Sequence, residues 1–365
     1  MKIVYDHQIY IWQEYGGISR YFYELSKALL KDPTLDVKNT VRLSNNEYTS
    51  DRLYNTHSFF TNQSFPGKFR ILRIVNEWSS KKELNKGFDI FHPTYYDTYF
   101  FSTIKNKPFV ITFYDLIHER FSNKFKNLGV DKDLFTRRKL LLEKATRVIA
   151  ISQSTKNDIV DIYKIPEAKI DVVYLANSID SKDSSTAIPY KNYILYVGRR
   201  NAYKNFTPFI KAITPLLIKE KDLKVVCAGG GRFDSTEQNL FTELKISDQM
   251  IQTGINDQLL AALYKSALFF VFPSNYEGFG IPVLEAFSCS CPALISDVSS
   301  LPEVGGNAAL YFDPNDKSDI LDKVSILLYD SDLRKKLAIA GLEREKLFSW
   351  SQTAIRHKEI YNLSL

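Results

Sequence analysis

Cysteine is scarce: three residues in 365, at Cys227, Cys289 and Cys291. An odd number in a chain this long argues against a disulfide framework and for a reducing compartment. No histidine lies near the Cys289–Cys291 pair, so it reads as two structural thiols rather than a metal site. Any run of 18 or more uncharged apolar residues is also missing, which leaves no segment suited to span a bilayer as a helix. The stretch MKIVYDHQIYIW is too short and polar for a signal peptide and reads as a first strand. Internal repeats of short period and low-complexity tracts are absent as well.

What is present is the composition of a globular protein, 44% apolar and 25% charged, with 22 Tyr and 25 Phe. The length suits two cores better than one. The net charge of +6 is uneven. Its basic excess lies in the first half, in GKFRILRIVNEWSSKKELNK (67–86) and RFSNKFKNLGVDKDLFTRRKLLLEKATR (120–147). Both stretches mix cations with Phe, Leu, Ile and Trp at roughly helical spacing. Such a pattern fits an interfacial helix against an anionic membrane, or more plainly a helix with a core face and a solvated basic face. The charge is not tied to any nucleic-acid-binding motif, so no nucleic-acid partner is expected.

Short apolar runs alternate with helical patterns throughout. The first half offers KIVYD (2–6), DIFHPT (89–94), FVITFYD (109–115), RVIAIS (147–152) and IDVVYL (170–175). The second offers YILYVG (193–198), KVVCAG (224–229), MIQTG (250–254), LFFVFPS (268–274), PALISD (292–297) and ALYFD (309–313). Between them lie helical patterns at 18–31, 137–145, 204–219, 257–266, 280–288 and 317–328. Strands alternating with helices imply parallel sheets covered on both faces, here two doubly wound α/β domains. The polar stretch 176–192 is the natural linker, which gives domains 1–187 and 188–349 and a final amphipathic helix at about 350–365.

Three motifs follow strands. In LFFVFPSNYEGFGIPVLEAF, Gly278 and Gly280 permit a sharp turn, and Pro282 suits a first helical turn. The amides of Phe279, Gly280 and Ile281 then form a helix-start anion site, with Glu277 before it and Glu285 inside the helix. A phosphate site flanked by two hydroxyl-seeking carboxylates suggests a sugar nucleotide; alternatively Glu277 is a helix-start charge and Glu285 a solvated helix residue. In YILYVGRRNAYKNF, Arg199 and Lys204 stand beside a Gly turn and can clamp a diphosphate, while Arg200 should point elsewhere. In YDHQIYIWQEYGGISRYFYEL, Gly16 and Gly17 close a loop before a helix starting near Ile18. The loop is not GxGxxG and is too long for a nicotinamide dinucleotide fingerprint, which counts against an oxidoreductase.

These residues together resemble the retaining family 4 glycosyltransferases of GT-B fold, over nearly the whole chain. Glu277 and Glu285 match the family's E-x7-E motif, and Arg199 and Lys204 its VGR…KN element. ISDVSSLPEVGGNAALYFDP (295–314) and AISQSTKNDIV (150–160) are similar to further family passages. EYGGISRYFYEL resembles a branch that builds bacterial surface polysaccharides. The resemblance implies two Rossmann-like domains facing across a cleft, with the C-terminal helix returning to the N-terminal domain. It implies that Glu285 binds the nucleotide ribose and Glu277 the donor sugar. Arg199 and Lys204 would hold the diphosphate as it leaves, the amides of Phe279, Gly280 and Ile281 would assist, and Gly16 and Gly17 would close the donor site.

Two departures matter. Where the family often has His-Asp, this chain has Tyr114-Asp115, with His118 four residues on from Tyr114, so the acceptor-side residues are Tyr114, Asp115 and His118. A phenol is a poor base at neutral pH. Ser178 also replaces a Gly often found at the linker turn. The DKD triplet (131–133) reads as solvated surface, and no metal or other cofactor is expected, because two cations already neutralise the leaving group. The expected partners are a nucleoside-diphosphate sugar, a UDP-sugar first and GDP-mannose second, and a glycan or lipid-linked oligosaccharide acceptor. The expected location is the cytoplasm, at the inner face of the membrane. The alternatives are a nucleotide-sugar epimerase of the same fold and a non-catalytic carbohydrate-binding protein.

Overall fold

The structure is a computed structural model that describes residues 1–61, 63–121, 132–179, 186–200 and 202–365. The linker residues 180–185 and Asp131 of the DKD triplet lie outside the described residues, as does the middle of the basic segment 120–147. Asp133 is exposed in the first turn of the helix Lys132–Lys144. The chain divides into two compact units, one of Met1–Glu119, Val130–Leu175 and Trp350–Leu365, the other of Arg120–Gly129 and Ala176–Ser349.

The first unit holds β1 (Lys2–Tyr5), β2 (Asp36–Asn39), β3 (Ile90–His92), β4 (Val110–Phe113), β5 (Arg147–Ala150) and β6 (Ile170–Val172). They pair in parallel in the orders β2-β1-β3 and β4-β5-β6, and a parallel bridge between Phe91 and Phe109 joins the two halves. β3 and β4 are buried along their whole length, as expected of strands covered on both faces. β2 has no counterpart among the apolar runs of the sequence. Its residues DVKN alternate exposed and buried at a sheet edge, so they carry no continuous apolar signal.

The second unit holds β7 (Tyr193–Val197), β8 (Lys224–Ala228), β9 (Met250–Thr253), β10 (Phe269–Phe272), β11 (Ala293–Ser296) and β12 (Ala309–Phe312). Their order is β9-β8-β7-β10-β11-β12, all parallel, the doubly wound arrangement of a Rossmann-like domain. Its core is built from β-strand residues such as Ile194, Val225 and Val271, packed with Phe206, Phe209 and Ile213 of the helix Phe206–Lys219. Cys227, Cys289 and Cys291 are buried free thiols, and burial pushes the Cys289 thiol up to about 11.

The helix Trp350–Asn362 packs against the helix Gly17–Leu29 of the first unit. A buried polar chain fastens it there. His357 Nδ1 lies 2.7 Å from the Thr353 carbonyl and its Nε2 2.6 Å from the Tyr21 hydroxyl. Tyr21 meets Thr112 Oγ1 at 3.1 Å, which meets His92 Nε2 at 3.0 Å. His92 Nδ1 meets the Tyr361 hydroxyl at 2.8 Å, which meets the Tyr5 hydroxyl at 2.7 Å. A carbonyl only accepts, so His357 Nδ1 carries a proton, and a neutral ring then accepts at Nε2 from Tyr21. The order propagates: Thr112 donates to Tyr21, His92 Nε2 to Thr112, Tyr361 to His92 Nδ1, and Tyr5 to Tyr361. Every link is satisfied with both imidazoles neutral, the state that burial enforces by lowering both pKa values, that of His357 to about 4.

Candidate active site

In a doubly wound sheet, ligands bind beyond the carboxyl ends of the strands where the order reverses. In the second unit that point lies between β7 and β10. The chain leaves β7 through Gly198, whose φ of +111 suits glycine, into Arg199 and Arg200. It leaves β10 into the loop that carries Glu277. The two expected motifs therefore come from neighbouring strands.

Lys204 Nζ donates to Glu277 Oε1 across 2.7 Å, with the side chains only 18% and 11% exposed. The loop bearing Glu277 is pinned from the far side. The Glu277 amide donates to Ser299 Oγ at 2.9 Å, and the Ser300 hydroxyl reaches the carbonyls of Glu277 and Phe279 at 2.9 and 2.7 Å. Gly280 follows with φ +115 as N-cap of the helix Ile281–Ser288. A β-carbon at Gly280 would stand 2.8 Å from Leu301 Cδ2, so both the backbone angle and the space require glycine. The amides of Gly280 and Ile281 have no partner among the described residues. They are the orphan donors of a helix start.

Glu285 is buried one turn further on, and the Tyr264 hydroxyl donates to its Oε2 at 3.0 Å. It is therefore not a solvated helix residue. Tyr264 belongs to the helix Asp257–Ser266 and also lies 3.2 Å from the Pro282 carbonyl, so it ties Glu285 to the start of its own helix. No local motif marks Tyr264, because its role depends on two helices meeting.

The adjacent arginines diverge. Arg199 is exposed, and its carbonyl accepts from the Tyr196 hydroxyl at 2.7 Å. Arg200 is buried against Glu237 (2.6 Å) and the carbonyls of Gly229, Gly231 and Arg232, so it orders the loop after β8. Both line an open cavity of about 840 Å³ with Gly230, Arg232 and Thr236. Lys204 is thus the held cation, whereas the exposed Arg199 side chain has no ion pair among the described residues.

The remaining expected residues belong to the first unit. Gly16 caps the helix Gly17–Leu29, and the Ser19 amide at its start already donates to Gln13 Oε1 at 3.2 Å. Tyr114 is buried at the end of β4, its hydroxyl has no partner among the described residues, and burial raises its pKa well above that of free tyrosine. Asp115 Oδ1 accepts from the Ile117 amide at 3.2 Å. His118 Nδ1 is buried without a hydrogen-bond partner among the described residues. Asp6, unremarked in the sequence, is buried beyond β1, where Thr94, Gln8 and Tyr99 all donate to its carboxylate. Among the described residues no group of three or more His, Cys, Asp or Glu side chains is placed to hold a metal ion.

Comparison with known proteins decides the family. Residues 15–180 match the model Glycosyltransferase Family 4, and residues 178–344 match Glycosyl transferases group 1, so the two run consecutively along the chain. The chain belongs to the family 4 glycosyltransferases. Its curated relatives include the O-antigen chain mannosyltransferase B of Escherichia coli, 30% identical over 61% of this chain and 62% of that protein. The O-antigen chain mannosyltransferase RfbU of Salmonella typhimurium is 31% identical over 49% and 50%. The chain thus spans less than two thirds of either. A glycosyltransferase of Methanocaldococcus jannaschii, itself uncharacterized, is 24% identical over 95% of this chain and 94% of its own. Among solved structures, sucrose-phosphate synthase of Thermosynechococcus elongatus superposes with a TM-score of 0.77 at 19% identity, covering 99% and 98% of the two chains. Anabaena HepE in complex with UDP-glucose gives 0.74 at 16% identity, covering 99% of each. These likenesses establish the GT-B fold for this family 4 member.

Proposed function

We propose that the chain is a retaining, metal-independent hexosyltransferase of surface polysaccharide synthesis. It moves a sugar from a nucleoside diphosphate to a hydroxyl of a glycan or lipid-linked acceptor, working in the cytoplasm. The observation that carries this reading is the Lys204–Glu277 pair at the switch point of the second sheet, beside the open amides of Gly280 and Ile281. A held cation and a helix start favour charge that develops on a departing diphosphate. Arg199 and the Phe279 amide add to that cradle. Glu285, steadied by Tyr264, binds the ribose hydroxyls, and Glu277 contacts the donor sugar while holding Lys204.

In the proposed step the bond from the anomeric carbon to the diphosphate oxygen breaks. The acceptor oxygen attacks the same face, and its proton passes to the departing phosphate oxygen. The product keeps its α configuration and the nucleoside diphosphate leaves. No side chain has to act as a strong base, in keeping with the buried, high-pKa phenol of Tyr114. Gly16 and Gly17 remain proposed donor contacts, and Tyr114, Asp115 and His118 proposed acceptor-side residues.

The sequence expectation puts a UDP-sugar first and GDP-mannose second. Two relatives at 30% and 31% identity are named mannosyltransferases, which supports mannose as the sugar and puts GDP-mannose first among the donors to test. Thermal unfolding with UDP, GDP and ADP, each with and without EDTA, tests this. A nucleotide at about a hundred times its Kd adds roughly 2.7 kcal/mol of stability. The expected result is a shift with GDP that EDTA leaves unchanged, followed by transfer from GDP-mannose in the presence of acceptor. A shift with UDP alone would move the donor class to UDP-sugars, and no shift with any nucleotide would remove the sugar-nucleotide reading.

A further inference from the structure

The helix Lys68–Asn85 of the first unit is built inside out. The face it buries carries Asn76, Ser79 and Ser80 beside Leu72 and Leu84. Asn76 alone makes four hydrogen bonds, accepting from the amides of Arg42 and Leu43 and donating to the carbonyls of Leu43 and Leu72. Ser80 joins Thr40 and His7. Apolar side chains stand on the opposite face. Ile71, Ile74 and Trp78 recur at i, i+3 and i+7, form one stripe, and are 41%, 54% and 61% exposed.

A solvent-facing stripe of two isoleucines and a tryptophan is not explained by packing within the unit. Its flanks say what covers it. Arg70 and Lys82 have no carboxylate partner among the described residues, and Lys82 Nζ rests 4.9 Å over the Trp78 ring. Lys81 and Arg73 share the single carboxylate of Glu77 at 3.9 and 3.5 Å. Glu83, the other acid of the helix, is turned to Lys2 and Lys86. Protein interfaces are depleted in lysine, whereas long cationic side chains beside a Trp and Ile ridge suit a boundary where acyl chains meet anionic headgroups.

We propose that this face of Lys68–Asn85 docks on an anionic lipid surface, with Ile71, Ile74 and Trp78 entering the headgroup boundary and Arg70, Lys81 and Lys82 meeting lipid phosphates. The inference does not rest on the sugar-transfer reading. It needs no change in the fold, because Ile71, Ile74, Trp78, Arg70 and Lys82 are already exposed, and only the half-buried Lys81 would turn from Glu77 and the Tyr99 ring.

Sedimentation of the full chain with phosphatidylcholine vesicles, with and without phosphatidylglycerol, tests it. The chain should co-sediment with the anionic vesicles and more weakly with the neutral ones. Losing one buried apolar side chain weakens partitioning by about tenfold, so Ile74→Ser with Trp78→Ser should lower it about a hundredfold. Arg70→Gln and Lys82→Gln should each cost about fivefold on anionic vesicles and little on neutral ones. All four positions are exposed, and the melting temperature should not move. Equal binding by I74S/W78S, or no binding by the unaltered chain to either vesicle, would overturn the proposal. So would a dimer, seen by sedimentation equilibrium without vesicle binding and abolished by I74S/W78S, which would assign the face to a second copy.

Discussion

The hydroxyl of Tyr264 holds the carboxylate of Glu285 at 3.0 Å, one helix steadying a residue on the next. Tyr264→Phe removes only that donor. A hydrogen bond to a charged group contributes about 1.5–3 kcal/mol, so the nucleotide Kd should rise about tenfold or more. Turnover at saturation should stay within about twofold, because Tyr264 acts through Glu285, the proposed ribose contact. Titration calorimetry with the nucleoside diphosphate checks the first part and kcat the second. Unchanged nucleotide affinity would mean that Glu285 needs no such support.

Lys204 and Glu277 make a pair whose partners should not be separable. Lys204→Ala should lower kcat by on the order of 10²-fold or more, the scale of losing one transition-state donor. It should also destabilise the second unit, by about 1–3 kcal/mol, since Glu277 is left buried and unpaired. Adding Glu277→Ala should return part of that stability but none of the rate. A double-mutant cycle on stability and on kcat, run side by side, checks both.

Arg199 and Arg200 should fail in opposite ways. Arg199→Ala leaves no buried group unpaired and should cost rate with little change in melting. Arg200→Ala strips partners from Glu237 and from three loop carbonyls, so it should lower melting by several degrees. Swapped outcomes in differential scanning fluorimetry would show that the two have been assigned the wrong way round.

All five histidines lie in the first unit. His7, His92 and His357 are buried, and burial holds them below the ordinary 6.5, His7 to about 3 and His357 to about 4. A histidine depressed in the folded state contributes stability that is complete above 6.5 and is lost as pH falls toward the folded value. His357 alone then accounts for about 3 kcal/mol lost between pH 6.5 and about 4. Calorimetry from pH 7 to 4.5 should show the transition of the first unit moving down first, ahead of losses from carboxylates common to both units. Parallel movement of both transitions above pH 5 would contradict this.

Gly280→Ala should cost about 1–3 kcal/mol through its left-handed backbone, with Leu301 displaced by the new methyl group. Nucleotide affinity should fall with it, because the orphan amides begin at that residue. Urea melts and the same nucleotide titration measure the two effects.

Much of this was legible in the sequence, for identifiable reasons. Buried parallel strands such as FFVF and YILYV are continuous apolar runs, although IYIW (9–12), read with the first strand, lies in the helix Gln8–Trp12 and β1 ends at Tyr5. The spacing of Glu277 and Glu285 also carried across, since a loop glycine followed by a first-turn proline defines a helix start. β2 was invisible because an edge strand of four residues can be polar on one face. Tyr264, Ser299 and His357 were invisible for another reason. Their partners are supplied by elements distant in sequence, and neither spacing nor composition records such meetings. The mixed pattern of the helix Lys68–Asn85 fits a core face as readily as an outward one, and only burial shows that Asn76, Ser79 and Ser80 face in.

The fastening of Trp350–Asn362 into the first unit has a consequence for synthesis. A ribosome delivers the strands of that unit early, yet Tyr361, which bridges Tyr5 and His92, emerges only after all of β7 to β12. During translation the first unit must wait with the hydroxyls of Tyr5 and Tyr21 and the imidazole of His92 short of partners, while the second unit has its whole sheet in hand and can close first. The protein is therefore finished from the middle outward. A premature stop before residue 350 should yield a sound second unit tethered to an unsealed, protease-sensitive first one.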